Sequence, residues 1–345
     1  MQTSNITIEQ VTLPEGFTVR AVQMSDLEPV VDMINESAER EGHRERRSYD
    51  TFRTEWAQPN FDLATQTRLV LSPEGKPVAH IKVYHETDTQ PILWHRVHAD
   101  YHATPVGLYL LQWAERFARD RIHRAPEGTQ VALHAASRPN DIATEKRFEA
   151  LGMEKIRNFY DMRIDMTEAP DVPTMPDGFS IRDYRHPEDL REALRMDIEA
   201  FRDHWGFVEP DFEKELAFVK HKYDTDTLFD PELCLLAIDD ATGKIVGVCL
   251  SRIEAWEDPT VGYVESLAVL REYRGRGLAG TMLRTVFGRF YAKGKPSVTL
   301  GVDADSLTGA TRLYERAGMY VYEVHPRWQK ILREGVDTMT TNLNE

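Results

Sequence analysis

The sequence predicts an α+β protein with a mixed helix and strand content, built from two tandem copies of one domain. Each copy is expected to be a mixed, mostly antiparallel sheet flanked by helices. Three observations carry this expectation. First, the chain repeats itself: Leu13-Pro-Glu-Gly-Phe-Thr-Val-Arg20 returns as Met175-Pro-Asp-Gly-Phe-Ser-Ile-Arg182, and Lys146-Arg-Phe-Glu-Ala-Leu-Gly-Met153 returns as Arg312-Leu-Tyr-Glu-Arg-Ala-Gly-Met319. A period of that length is far beyond a solenoid unit and fits a duplicated domain. Second, Pro170, Pro173 and Pro176 stiffen the stretch between the copies into a linker. Third, both halves place hairpins first and strand–helix units later, which excludes a barrel of regular βα repeats. The expected domains are therefore 1–168 and 177–335, with a proline-rich linker at 169–176 and a polar tail at 336–345.

In the first half, residues 17–21 read as a strand and 26–41 as a helix whose apolar face carries Leu27, Val30, Val31 and Ile34. Strands at 68–71 and 78–85 flank a Pro-Glu-Gly-Lys turn and make a hairpin. A strand at 92–98 precedes a helix at 108–122, then a strand at 129–134. A helix at 142–151 stops at Gly152, and a strand at 154–165 closes the half. The second half follows suit, with a strand at 179–184, a helix opening at Pro187, another at 211–222, and a hairpin at 233–239 and 244–253. A strand at 262–270, a helix after Gly277, a strand at 297–302, a helix at 309–317 and a strand at 320–331 complete it.

Composition narrows the function. A content of 41% hydrophobic residues supports real cores, and a formal charge of −15 argues against nucleic acid or an anionic membrane as partner. Cys234 and Cys249 supply neither a disulfide framework nor a metal spacing, which points to a reducing, cytoplasmic setting. No apolar run reaches membrane-spanning length, and the N-terminus is polar. His95, His98 and His102 cluster in sequence, but strand alternation puts His95 and His98 on opposite faces, so no metal is expected.

The chemistry concentrates between residues 262 and 290. An apolar strand leads into Arg274-Gly-Arg-Gly-Leu-Ala-Gly280, and Leu278, Met282, Leu283, Val286, Phe287 and Phe290 then recur at helical spacing. Amides at a helix start lack intrahelical partners and lie at the positive end of its dipole. Gly275, Gly277 and Gly280 have no Cβ, so a large anion can approach them closely. Gly275-Arg-Gly277-Leu-Ala-Gly280 also spells the dinucleotide fingerprint, with Asp303 at a suitable distance. A doubly wound reading fails because Arg271 to Arg274 separate the turn from its strand, other strands precede it, and too little chain follows.

Arg274-x-x-Gly277-x-Ala279 after the strand Leu267-Ala268-Val269 resembles the acyl-CoA motif of the GCN5-related N-acetyltransferases. The order of elements in both halves resembles that fold as well. The resemblance implies acetyl-CoA as co-substrate, with no metal, and transfer of an acyl group, normally acetyl, to a primary amine of a small molecule or a protein. It implies that Arg274, Gly275, Arg276, Gly277, Leu278, Ala279 and Gly280 hold the pyrophosphate, and that the edge of Leu267, Ala268 and Val269 holds the pantetheine arm. It puts Ser306 beside that arm, where many relatives carry Asn, and Leu307 where they carry Pro. Within Leu313-Tyr314-Glu-Arg-Ala-Gly318, it makes Tyr314 the acid that protonates the departing thiolate. On spacing alone, an aromatic anchor on the apolar face of a short helix is the better reading of Tyr314.

Glu265 sits in an apolar strand beside the cofactor segment, where it either serves as base to the amine or pairs with one of the nearby arginines. His204, Glu254 and Asp303 are further candidates, as is a chain of waters. Some relatives carry a catalytic Glu on the following strand, but Gly301 stands near that position here. The first half lacks the equipment of the second. His102-Ala-Thr-Pro105 replaces the arginine–glycine turn and Phe148 stands in the place of Tyr314, so domain 1–168 is expected to be degenerate. The chain is expected to act as a monomer or homodimer. The competing functions are a non-catalytic acyl-CoA-binding regulator and a nucleotide-binding oxidoreductase.

Overall fold

The computed structural model describes residues 10–43, 46–85, 87–171, 173–255, 258–306 and 309–339. Two compact units emerge. The first is built mainly from the chain up to Trp56, Phe61–Ile156 and Pro326–Thr338, and the second mainly from Arg157–His325. These units do not follow the two halves of the sequence. The strand expected to close each half pairs with the other half's strands, so the expected boundary at 169–176 does not separate the units.

In the first unit, β1 (Thr18–Arg20), β2 (Thr67–Leu71), β3 (Pro77–Tyr84) and β4 (Ile92–Val97) form an antiparallel meander. β5 (Val131–Ala136) joins β4 in parallel, and the end of the chain's last strand, Tyr320–Arg333, pairs antiparallel with β5 from Arg327↔Ala136 onward. The helices are α1 (Leu27–Arg40), α2 (Tyr49–Trp56), the single turn α3 (Leu63–Gln66), α4 (Val106–Arg119) and α5 (Ile142–Leu151). α1 buries Val30, Val31 and Ile34, the face expected from its spacing, against Phe52 and Trp56 of α2. α5 ends where Gly152 takes φ +78°, the left-handed cap for which a glycine has no steric penalty. Trp328 and Leu332 complete the core around Phe148 and Leu151, although they come from the far end of the sequence.

In the second unit, β6 (Glu154–Asp165) pairs antiparallel with β11 (Ser297–Asp303) from Asp165↔Ser297 to Phe159↔Asp303. The order then runs through β10 (Gly262–Val269), β9 (Ile245–Arg252) and β8 (Leu235–Asp239) to β7 (Phe179–Asp183). All these neighbours are antiparallel except β10 and β11. α8 (Leu278–Ala292) and α9 (Ala310–Arg316) cover one face, burying Met282, Val286, Phe287 and Phe290 against Val298, Leu300 and Met162. α6 (Leu190–Phe201) and α7 (Phe212–Thr225) cover the other, on Leu236, Val248 and Ala268. β12 is the strand Tyr320–Arg333, whose start belongs to this unit.

Candidate active site

The site begins with a fault in the sheet. β10 and β11 are joined only at Gly262↔Val298 and Tyr263↔Thr299, yet both strands continue several residues beyond. On its other side β10 stays paired with β9, and the register slips between Val264↔Ser251 and Ser266↔Leu250, which leaves Glu265 as the extra residue of a bulge. Past the bulge, the Leu270 amide donates to the Val246 carbonyl of β9 at 3.0 Å. Strand alternation then turns Ala268 towards β9 and points the backbone groups of Leu267 and Val269 to the unpaired edge. The Val269 carbonyl on that edge accepts from Arg274 Nε at 3.0 Å. The amides of Leu267 and Val269 face the open side.

A cavity of about 320 Å³ fills the gap between the diverging strands. β10 lines it with Val264, Glu265 and Leu267, β11 with Leu300 to Asp303, and α9 with Ala310 and Tyr314. The end of α6 lines it with Phe201 and the segment that follows with His204, Trp205 and Phe207, and Phe159 comes from β6. Tyr314 is buried, and burial pushes its phenol well above the ordinary value. Its hydroxyl makes no hydrogen bond among the described residues, so it is a protonated donor facing the cavity. Ser306 also borders the cavity; its amide donates to the Asp303 carbonyl at 3.0 Å and its Oγ accepts from the Ala310 amide at 3.4 Å. Leu307 lies outside the described residues.

The acidic groups of the cavity already have partners. Lys222 Nζ of α7 donates to both Glu265 oxygens at 2.9 and 3.0 Å. Arg157 Nε donates to Asp303 at 2.6 Å, and its guanidinium lies 5.0 Å from the centroid of the Trp205 ring. Glu265 thus reaches the cavity as half of an ion pair, with a lysine rather than an arginine. Glu254 stands apart from the cavity, where Lys295 approaches it at 3.8 Å.

Beyond β10, the turn is shaped by Gly275 at φ +77° and Gly277 at φ +89°, backbone that L side chains rarely adopt. The first intrahelical bond of α8 runs from the Thr281 amide to the Gly277 carbonyl at 3.1 Å. The amides of Leu278, Ala279 and Gly280 precede it and remain available to an anion. Gly277 and Gly280 have at least 3.6 Å of clearance where a Cβ would stand, so it is conformation and access rather than crowding that require glycine there. Arg274 is occupied: it donates to Asp203 at 2.6 and 3.1 Å and to the Ala200 carbonyl at 2.8 Å, fastening the end of α6 to the turn. Arg276 remains at the rim, over the rings of Phe179 and Tyr273.

The corresponding place in the first unit is filled. Pro105 caps α4, and the Arg147 side chain lies against Gly107 so closely that a Cβ there would stand 2.6 Å from Arg147 Cδ. Phe148 is fully buried between His95 and Trp328, with ring centroids 5.4 and 5.7 Å away. The three clustered histidines do separate things: His95 is in this core, His98 accepts from the Asp100 amide, and His102 bonds the Val97 carbonyl. Asp161, Glu323 and His325 bring three potential ligand atoms within 4.8 Å of one another in the second unit. There His325 sits 2.9 Å from Asp161 and 3.5 Å from Glu323. Burial opposes its charge, but the two carboxylates override that and raise it to about 10. The imidazolium so held is the hub of two ion pairs.

Comparison with known proteins agrees with this geometry. Residues 195–319 match the model of the acetyltransferase (GNAT) family. A mycothiol acetyltransferase of Mycobacterium sp. (strain JLS) is 28% identical over 269 residues, covering 75% of this chain and 82% of that protein. The crystal structure of a GCN5-related N-acetyltransferase from Sphaerobacter thermophilus superposes with a TM-score of 0.79 at 32% identity, over 94% of this chain and 99% of that one. A tandem GNAT protein from the clavulanic acid biosynthesis pathway shares the fold, with a TM-score of 0.71 at 16% identity over 92% and 99%. No helix among the described residues is long and apolar enough to cross a membrane. The unpaired strand edge, the glycine turn and these likenesses converge, and the chain belongs to the GCN5-related N-acetyltransferase family as a tandem member, an enzyme that transfers acetyl from acetyl-CoA to an amine.

Proposed function

We propose that the second unit carries the reaction and that its acceptor is the primary amine of a small molecule, which attacks the thioester directly. The observation that supports this most is the open edge of β10, where two unpaired amides lead from the cavity to a helix start with free donors. The residues present fit acetyl-CoA. The amides of Leu278, Ala279 and Gly280, with the glycine turn before them, would hold the pyrophosphate, and Arg276 adds charge at the rim. Leu267 and Val269 would hold the arm, and the Leu267 amide is available to the carbonyl oxygen as it gains charge. Arg274 contributes by keeping α6 against the turn rather than by binding phosphate through its own guanidinium.

Bound acetyl-CoA supplies an activated acetyl group; the chain supplies position and protons. A cavity of this size admits a small acceptor more readily than a folded protein surface. The distant likeness to a mycothiol acetyltransferase supports a small-molecule amine. Tyr314, kept protonated by burial, is placed to donate to the sulfur as it leaves. Pro105, Arg147 and Phe148 support a first unit without a cofactor groove or an acid.

Tyr314→Phe removes the hydroxyl and keeps the ring. Turnover is expected to fall ~100-fold or more while acetyl-CoA affinity by calorimetry stays within about twofold. Unchanged kcat, under conditions where chemistry limits the rate, would return Tyr314 to a purely packing role.

A further inference from the structure

We propose that His204 is the general base of the transfer. This rests on the reading of the second-unit cavity as the place where amine and thioester meet.

The argument is first one of availability. Among the described residues, the ionisable side chains that line the cavity are His204, Glu265, Asp303 and Tyr314. Glu265 is held by Lys222 and Asp303 by Arg157, so each carboxylate would have to break an ion pair to take a proton. Tyr314 is a protonated phenol and can act only as a donor. The imidazole of His204 makes no hydrogen bond among the described residues. It is therefore the unengaged proton acceptor in the wall.

The second argument is position. His204 follows α6 in a short turn whose amide-to-carbonyl bonds, His204 to Phe201 and Phe207 to His204, hold it in place. Its ring lies 4.3 Å from the Phe201 ring, centroid to centroid, on the apolar side of the cavity. Its neighbour Asp203 is the residue that Arg274 grips, so the arginine of the cofactor turn also anchors the histidine segment. A proton acceptor would thus be tied to the element that orients the thioester. The charged groups that face it are Asp203 on its own segment, Arg274 from the turn and Asp303 from β11; Glu265 of β10 and Tyr314 of α9 share the cavity. Burial outweighs the two aspartates and lowers the imidazole's pKa, so it is neutral at physiological pH and ready to accept.

The proton balance closes. The substrate ammonium first gives one proton to solvent, leaving the free amine. The amine nitrogen forms a bond to the carbonyl carbon, and becomes acidic enough to give a second proton to His204. The carbon–sulfur bond then breaks, and the thiolate takes the Tyr314 proton. The proton held on His204 restores the phenol through solvent, so one proton is released overall per acetyl transferred.

His204→Gln keeps a polar side chain but cannot titrate, and His204→Ala leaves room for added imidazole. Both are assayed beside the wild type for CoA release with acetyl-CoA and those members of a primary-amine panel that the wild type acetylates. Calorimetry with acetyl-CoA alone on the wild type checks separately the cofactor reading on which the proposal depends. The expected result is kcat lowered ~10²- to 10⁴-fold with acetyl-CoA affinity unchanged. The acid limb of the wild-type kcat/KM profile, falling below the ordinary histidine range, would be missing in the Gln variant, and imidazole would restore activity to the Ala variant. Retention of both kcat and the acid limb in His204→Gln would overturn the proposal. Loss of activity in step with loss of acetyl-CoA binding would also overturn it, by making His204 a structural prop.

Discussion

At the scale of single residues, the site shows how partners decide roles that sequence leaves open. Glu265 occupies the strand position expected of a base, yet Lys222, from a helix some forty positions earlier, neutralises it. That pairing was invisible because it depends on the packing of α7 over β10. Arg274 carries the family pattern, but its guanidinium is spent on Asp203 and Ala200. The ring cluster Phe201, His204, Trp205 and Phe207 was a readable signal, four ring-bearing side chains in one short stretch at and just past a helix end, with no core periodicity to explain them. In the second unit, His325 is held in its charged form by two carboxylates. Its folded pKa of about 10 lies above the unfolded value of 6.5 because Asp161 and Glu323 outweigh burial. The stabilisation is therefore complete below the unfolded value and is lost as pH rises towards and through about 10. Urea unfolding of the wild type should show stability declining over that window, and His325→Gln should flatten the decline. Parallel slopes for the two proteins would contradict the ion-pair hub.

At the scale of elements, most strands and helices were legible because periodicity and punctuation are local. α5 matches its expected span and ends at the expected glycine, and β6 begins and ends as predicted. α2 was missed: Phe52 and Trp56, four apart after the capping Ser48, mark a buried stripe too short to stand out. The strand exchange was not legible at all. β6 and β12 close equivalent halves and carry similar patterns, so nothing local distinguishes pairing within a half from pairing across halves. Only the register does, through Asp165↔Ser297 in one unit and Arg327↔Ala136 in the other. The consequence is testable. Fragments cut within 169–176 would each lose a strand and core residues, Trp328 and Leu332 from the first unit and Met162 from the second. Losing a buried tryptophan alone costs ~3–5 kcal/mol, a large share of ordinary domain stability. Neither fragment should show a cooperative thermal transition by circular dichroism, and mixing them should restore one. Two independent cooperative melts would show that the exchange is dispensable.

At the scale of the molecule, we propose that duplication has left one unit equipped for the reaction and the other without a cofactor site. The second keeps an unpaired β10 edge, a glycine turn and Tyr314; the first has Pro105 at its helix start, Arg147 against Gly107 and a sealed Phe148. The central claim is that acetyl-CoA binds once per chain, on the amides that open α8. Ala279→Pro tests it well, because proline is tolerated in the first turn of a helix and removes one of those amides. Calorimetric titration of the intact wild type with acetyl-CoA should give one site per chain, and Ala279→Pro, folded by circular dichroism, should bind at least ~10-fold more weakly at that same site. A stoichiometry of two, or undiminished affinity in the folded variant, would contradict the account.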